Sequence, residues 1–263
     1  MLPETAFIRK LSQSISIEDR IKLESVVTAS DLCFTAFDSM FEILVRLNDG
    51  SDQRVSDQDK RQLAIYVWSI IDNLHIAVNF AKRLPRTPDS SVNVYIDELA
   101  TATKLRNAMD HRPQNVKNLA LRTTPVQPAH GLLSYIRPGM RNGRALGHMI
   151  PLGTTHHQTS VGPVFDLQWV PDPQLPSHIT FIAHDVQCDL GALMTKLGEM
   201  VELIDQKAEA NLKLAFVAAA AESGHQIEEV IAPPIPSIRD MQFEYTPQHE
   251  RLSETVRDDQ GTA

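Results

Sequence analysis

Hydrophobic residues recur at helical spacing along two long segments in the first third of the chain. In residues 17–48 they form a broad apolar surface, and Ser16 or Asp19 stands where an N-cap would begin the helix. In residues 57–83 they form a narrower stripe that should face a core. The stripe consists of Leu63, Val67, Ile70, Ile71, Leu74 and Val78. The two segments therefore predict a pair of long amphipathic helices.

A third helical segment, residues 91–111, follows a break that contains prolines. Its apolar face leads to Arg106, which should therefore lean toward the packed side of the helix. Pro113 disfavours helical conformation at the residue before it, so the helix should end or bend near His111. A short fourth helix is predicted over residues 114–122.

The pattern changes in residues 126–187, which are rich in proline and glycine and contain short strand-like runs. These runs are residues 131–137, 145–152, 164–170 and 178–184, and they predict a small antiparallel sheet. Residues 188–222 return to helical spacing, with Asp189 as a suitable N-cap. Residues 223–263 are polar and acidic without periodicity, which is typical of a flexible tail.

The order of these elements predicts the α+β class. An antiparallel helical bundle would occupy residues 1–125, and the long helix would pack back on the bundle or on the sheet. The chain has 263 residues, of which 42% are hydrophobic and 22% are charged, as in an ordinary globular protein. Cys33 and Cys188 are expected to be buried thiols. The chain shows neither a membrane-length apolar run nor a secretory signal, so we expect a cytoplasmic protein without membrane contact.

The run from Arg106 to His111 carries candidate chemistry. An arginine can hold a phosphate through two parallel hydrogen bonds, and a histidine can move protons near neutral pH. Asn107 can donate or accept a hydrogen bond beside them. These groups suffice to cleave RNA without a metal, because the substrate's 2′-hydroxyl is the nucleophile. On a straight helix the two outer side chains point about 140° apart, so a bend or a second protomer must complete the site.

This R-x4-H run, with a polar residue after the arginine, resembles the signature of the HEPN superfamily. The segments WSIIDNLH, KLRNAMDH and GLLSYIR, within residues 60–137, are similar to a group of bacterial HEPN-like proteins. The resemblance implies a HEPN-like helical bundle that forms a homodimer with facing motifs. It implies a metal-independent endoribonuclease that leaves a 2′,3′-cyclic phosphate, in a toxin–antitoxin or phage-defence system. His111 would be the general acid and base, Arg106 would hold the phosphate, and Asn107 would position either group.

The same resemblance leaves a second function open. Some HEPN domains have lost catalysis and serve as dimerisation or interaction modules that bind a protein or a nucleotide. In that case Arg106 and His111 would make dimer contacts or bind a nucleotide. An antitoxin or another defence-system protein is a possible partner in either case. Neither function requires a cofactor.

Charge bears on the proposed RNA partner. The net charge of −8 argues against nucleic-acid binding, but the segment from Lys104 to Arg144 is strongly basic. The candidate RNA contacts in it are Lys104, Arg112, Lys117 and Arg122. A basic stripe around a candidate phosphate site is what RNA binding requires, although a solvated surface would have the same composition.

A polar stripe on the second helix could support the site. Asp72 and His75 lie on one line with Trp68 and Asn79, so they could face the third helix. The structural alternative is a half-buried His75 bonded to Asp72 or to a backbone carbonyl, with Trp68 in the core. The histidines and cysteines lack the spacing of known metal motifs, so we expect no metal site.

Overall fold

The computed structural model describes eight stretches of the chain. They are residues 1–11, 15–48, 55–85, 91–111, 130–141, 144–152, 174–183 and 186–223. The predicted helix over residues 114–122, the run 164–170 and nearly all of the acidic tail lie outside them. Within these stretches the protein combines helices with one antiparallel sheet, which confirms the α+β class.

Two long helices, α1 (Ile17–Asn48) and α2 (Asp57–Ala81), pack against each other extensively. The side chain of Ser16 accepts a hydrogen bond from the Asp19 backbone N–H at 3.1 Å, and Ser56 caps α2 in the same way through Asp59. The whole predicted stripe of α2 is inaccessible to solvent. By length and composition α2 could cross a membrane, but its apolar face is explained by its packing within this core.

The third helical segment is not continuous, so the prediction of one helix over residues 91–111 was wrong in this respect. It consists of α3 (Val92–Glu98) and α4 (Ala100–Asp110), which are separated at Leu99. The break allows the two pieces to pack in different places, because α3 contacts the C-terminal helix whereas α4 contacts α2. Leu99 itself is completely buried at the junction.

Four strands form an antiparallel sheet in the order β2-β1-β3-β4. Their bounds are β1 (Leu132–Arg141), β2 (Arg144–Pro151), β3 (Ser177–Ala183) and β4 (Val186–Asp189). Gly131 precedes β1 with φ of +93°, and a Cβ there would lie 2.3 Å from the Phe181 ring. That ring packs edge-on against Trp68 at 5.3 Å between centroids, which joins the sheet to α2.

The last helix, α5 (Leu190–Ser223), packs against α1, α3 and the sheet and covers one side of the core. Asp189 caps it as predicted, because its carboxylate accepts a hydrogen bond from the Ala192 N–H at 2.9 Å. Cys33 and Cys188 are buried free thiols, also as predicted. Burial raises the pKa of both thiols, and that of Cys188 reaches about 12.

Candidate functional site

A polar seam runs between α2 and α4, at the place where the sequence predicted a supporting stripe. Asp72, His75 and Asn79 are spaced by three and four residues, so they share one side of α2. Opposite them, α4 presents Thr103 and Arg106. The structure therefore brings together Arg106 and both predicted supporting residues.

Arg106 is held by carboxylates on both helices. Its Nε lies 2.5 Å from Oδ1 of Asp72, and its Nη1 donates to the Asp110 carboxylate one turn further along α4. The Arg106 side chain is 29% exposed, against 41% for Asp72 and 53% for Asp110. A phosphate that approaches Arg106 must therefore compete with two carboxylates already in place.

His75 is half-buried in the seam and uses both ring nitrogens. Its Nε2 accepts a hydrogen bond from Nδ2 of Asn79 at 2.8 Å, so Nδ1 carries the proton and donates to Thr103 Oγ1 at 3.3 Å. Burial lowers the pKa of His75, and the positive charge of Arg106 lowers it further against the opposing effect of Asp72. The ring is a neutral, bonded element of the seam, and its partners are not the expected Asp72 or a backbone carbonyl.

His111 occupies a different face of α4. It forms the C-cap, where its N–H donates to the Asn107 carbonyl at 3.1 Å and its side chain is exposed. At 100° per residue, Lys104, Asn107 and His111 fall within about 60° of one another, whereas Arg106 points about 140° away from His111. All three are exposed. The break at Leu99 precedes both Arg106 and His111, so it cannot bring the pair together within one protomer.

The candidate RNA contacts are only partly visible. Lys104 is exposed on α4, whereas Arg112, Lys117 and Arg122 lie outside the described residues. Within the part of the chain that the structure describes, no group of three or more histidine, cysteine or acidic side chains is placed to hold a metal ion.

Sequence reasoning missed a second polar cluster, where α1 meets the sheet. Tyr135 on β1 faces His148 on β2 directly across the strands, and its hydroxyl lies 3.0 Å from Nδ1 of that ring. The same hydroxyl lies 3.3 Å from Oδ1 of Asn48, to which Arg137 Nε donates at 3.2 Å. The available signal was the alternation of Tyr135 and Arg137 on one face of a strand.

Burial and charge affect the titration of this second cluster. Burial raises the pKa of Tyr135 to about 12, so the phenol keeps its proton under physiological conditions. Burial also lowers the pKa of His148, and the nearby charge of Arg137 lowers it further. The cluster is therefore a neutral tyrosine–imidazole pair beside a permanent cation.

Comparisons with protein-family models, with curated proteins and with solved structures found no match to this chain.

Proposed function

We propose that the protein is a metal-independent endoribonuclease that acts as a cytoplasmic homodimer in a toxin–antitoxin or phage-defence role. The observation that carries the proposal is the exposed face of α4, which presents Lys104, Asn107 and His111 together. A cation, an amide and an imidazole on one accessible surface provide charge neutralisation, positioning and proton transfer. The HEPN-like character of the helical bundle is part of this proposal.

The α4 face suggests a division of roles. His111 takes the proton from the substrate 2′-hydroxyl, whose oxygen attacks the adjacent phosphorus while the 5′-oxygen leaves with a proton. In a homodimer with facing α4 helices, one His111 would accept the first proton and the other would donate the second. Lys104 replaces Arg106 as the nearer cation, because it points in the same direction as His111. The products are a 2′,3′-cyclic phosphate and a 5′-hydroxyl.

Point variants on the α4 face test this proposal. His111→Ala should reduce RNA cleavage by about 10²-fold to 10⁴-fold, since it removes general acid–base catalysis. Lys104→Ala should weaken RNA binding and lower the salt dependence of that binding by about one counterion. His130→Ala and Lys10→Ala replace exposed residues elsewhere and serve as matched controls. Full cleavage by folded His111→Ala protein would contradict the proposal.

A second candidate function is a non-catalytic dimerisation or interaction module that binds a protein or a nucleotide. The pairing of Arg106 with Asp72 and Asp110 favours it, because a guanidinium held by two carboxylates is suited to a structural role. Arg106→Gln separates the two functions when dimer mass and cleavage rate are measured on the same preparation. Loss of the dimer would favour the module, whereas an intact dimer that cleaves RNA at the wild-type rate would favour the nuclease, because the α4 face uses Lys104 and not Arg106 as its cation.

A further inference from the structure

In the cluster where α1 meets the sheet, the hydrogen bonds of Asn48 define which groups donate and which accept. The Asn48 side chain donates from Nδ2 to the Leu44 carbonyl at 2.8 Å, which fixes the orientation of its amide. Its Oδ1 therefore points toward Tyr135 and Arg137, and it can accept from both. Because Asn48 is the last residue of α1, the helix end sets the position of the whole cluster.

The tyrosine hydroxyl can accommodate either charge state of His148. With a neutral ring, the hydroxyl can donate its proton to Nδ1 at 3.0 Å. With a protonated ring, Nδ1–H donates to the hydroxyl oxygen, and the hydroxyl donates to Asn48 at 3.3 Å. In both states Tyr135 anchors Nδ1, so that Nε2 is the nitrogen left for a ligand. Among the described residues, Nε2 has no hydrogen-bond partner.

Arg137 is the cation of this cluster. Its Nε and Nη2 donate to the side-chain and backbone oxygens of Asn48 at 3.2 and 3.4 Å. Nη1 has no hydrogen-bond partner among the described residues. No carboxylate among the described residues pairs with it, in contrast to Arg106, which has two. Arg137 is joined to His148 through Asn48 and Tyr135, by contacts of 3.2 Å from Arg137 Nε to Asn48 Oδ1, 3.3 Å from Asn48 Oδ1 to the Tyr135 hydroxyl and 3.0 Å from that hydroxyl to His148 Nδ1. The two side chains therefore belong to one hydrogen-bonded cluster.

We propose that Arg137 and His148 form a binding site for a phosphate group. Arg137 would supply a fixed positive charge and the Nη1 donors. His148 would donate from Nε2, which carries a hydrogen in both charge states while Nδ1 is bonded to Tyr135, and would add a positive charge when the ring is protonated. Tyr135 and Asn48 would hold these two side chains in place. The phosphate could belong to a free mononucleotide or to the backbone of an RNA chain. This site is separate from the α4 face, and it does not depend on RNA cleavage.

Phosphate binding should be linked to the titration of His148, because a protonated imidazole binds the anion more tightly than a neutral one. Among the described residues, Tyr135 and Arg137 are the titratable or charged groups that bear on this ring. Tyr135 keeps its proton throughout, so only the histidine changes charge. Saturating inorganic phosphate should therefore raise the pKa of His148 by about one unit, which corresponds to about tenfold tighter binding to the protonated form.

The test is an NMR titration of the His148 ring in the full-length protein, with inorganic phosphate or with chloride at matched ionic strength. Phosphate should raise the pKa of His148, and chloride should not. In Arg137→Gln the pKa without phosphate should rise, because a nearby cation is removed, while the response to phosphate should disappear. Equal responses to the two anions, or an unchanged phosphate response in Arg137→Gln, would overturn the proposal.

A second variant guards against a structural effect of Arg137→Gln at the end of α1. His148→Gln retains Arg137 and should weaken phosphate binding about tenfold at pH 6, by calorimetry, while Lys10→Gln should bind as the wild type does. Unchanged binding by His148→Gln would overturn the proposal. Adenosine 5′-monophosphate and the dinucleotide ApA then distinguish a terminal from a bridging phosphate. Binding of either supports the site, and binding of neither contradicts it.

Discussion

The neutral His75 ring in the polar seam should make the stability of the folded protein fall as the pH is lowered. His75 is half-buried with both nitrogens bonded, and its pKa in the folded protein is lowered from 6.5 by burial and by Arg106. The unfolded chain therefore binds more protons than the folded one as the pH falls through 6.5 toward the lower folded pKa. The stability contributed by the neutral ring is complete above this window and is lost within it. Replacement by His75→Gln should remove that loss.

The size of the effect follows from proton linkage. If the folded ring stayed neutral throughout, the free energy of unfolding would fall by about 1.4 kcal/mol between about pH 7.5 and pH 5.5. That figure is the upper limit, and because the ring is partly exposed the decrease should be smaller. Urea unfolding of wild-type and His75→Gln protein at several pH values measures the difference. Thr103→Val retains the imidazole and should keep the acid sensitivity. Parallel pH dependences of wild type and His75→Gln would refute the reasoning.

Three further predictions concern backbone conformation and charge. Gly131→Ala should lower the free energy of unfolding by about 3 kcal/mol, because φ at residue 131 is positive and the Phe181 ring occupies the Cβ position. Gly198→Ala is the control, since a Cβ there makes only ordinary contacts. Equal losses of stability in the two variants, measured by urea unfolding, would contradict this prediction. Arg106→Gln should raise the NMR-measured pKa of His75 because it removes a repelling cation. Asp72→Asn should lower that pKa, and shifts of the same sign in both variants would disprove the assigned couplings.

The long helices could be predicted because their apolar residues recur at helical spacing within a short stretch of sequence. The apolar stripe of α2 and the capping residues Ser16 and Asp189 are local features of sequence, and the structure confirms them. The break at Leu99 could not be predicted in this way. It depends on where α3 and α4 find their packing partners, which are α5 and α2, and residue spacing alone does not contain that information.

In the candidate site, too, the positions of residues on one element could be predicted, whereas contacts between elements could not. The positions of Asp72 and His75 on one side of α2 followed from periodicity, but the pairing of Asp72 with Arg106 required the packing of α4. Likewise, the alternation of strand residues places Tyr135 toward the core, yet only the strand register reveals His148 opposite it. Helix packing and strand register bring together residues that are distant in sequence, so local sequence patterns could not predict these contacts.

The central claim, that the α4 face cleaves RNA through the substrate's own 2′-hydroxyl, is tested most directly by end-group analysis. Purified wild-type and His111→Ala protein would be incubated in EDTA with total cellular RNA, and the ends of any fragments would be identified. The proposed mechanism predicts fragments with 2′,3′-cyclic phosphate and 5′-hydroxyl ends from the wild type alone. Intact RNA in both samples, or cleavage only when a divalent metal is restored, would contradict it.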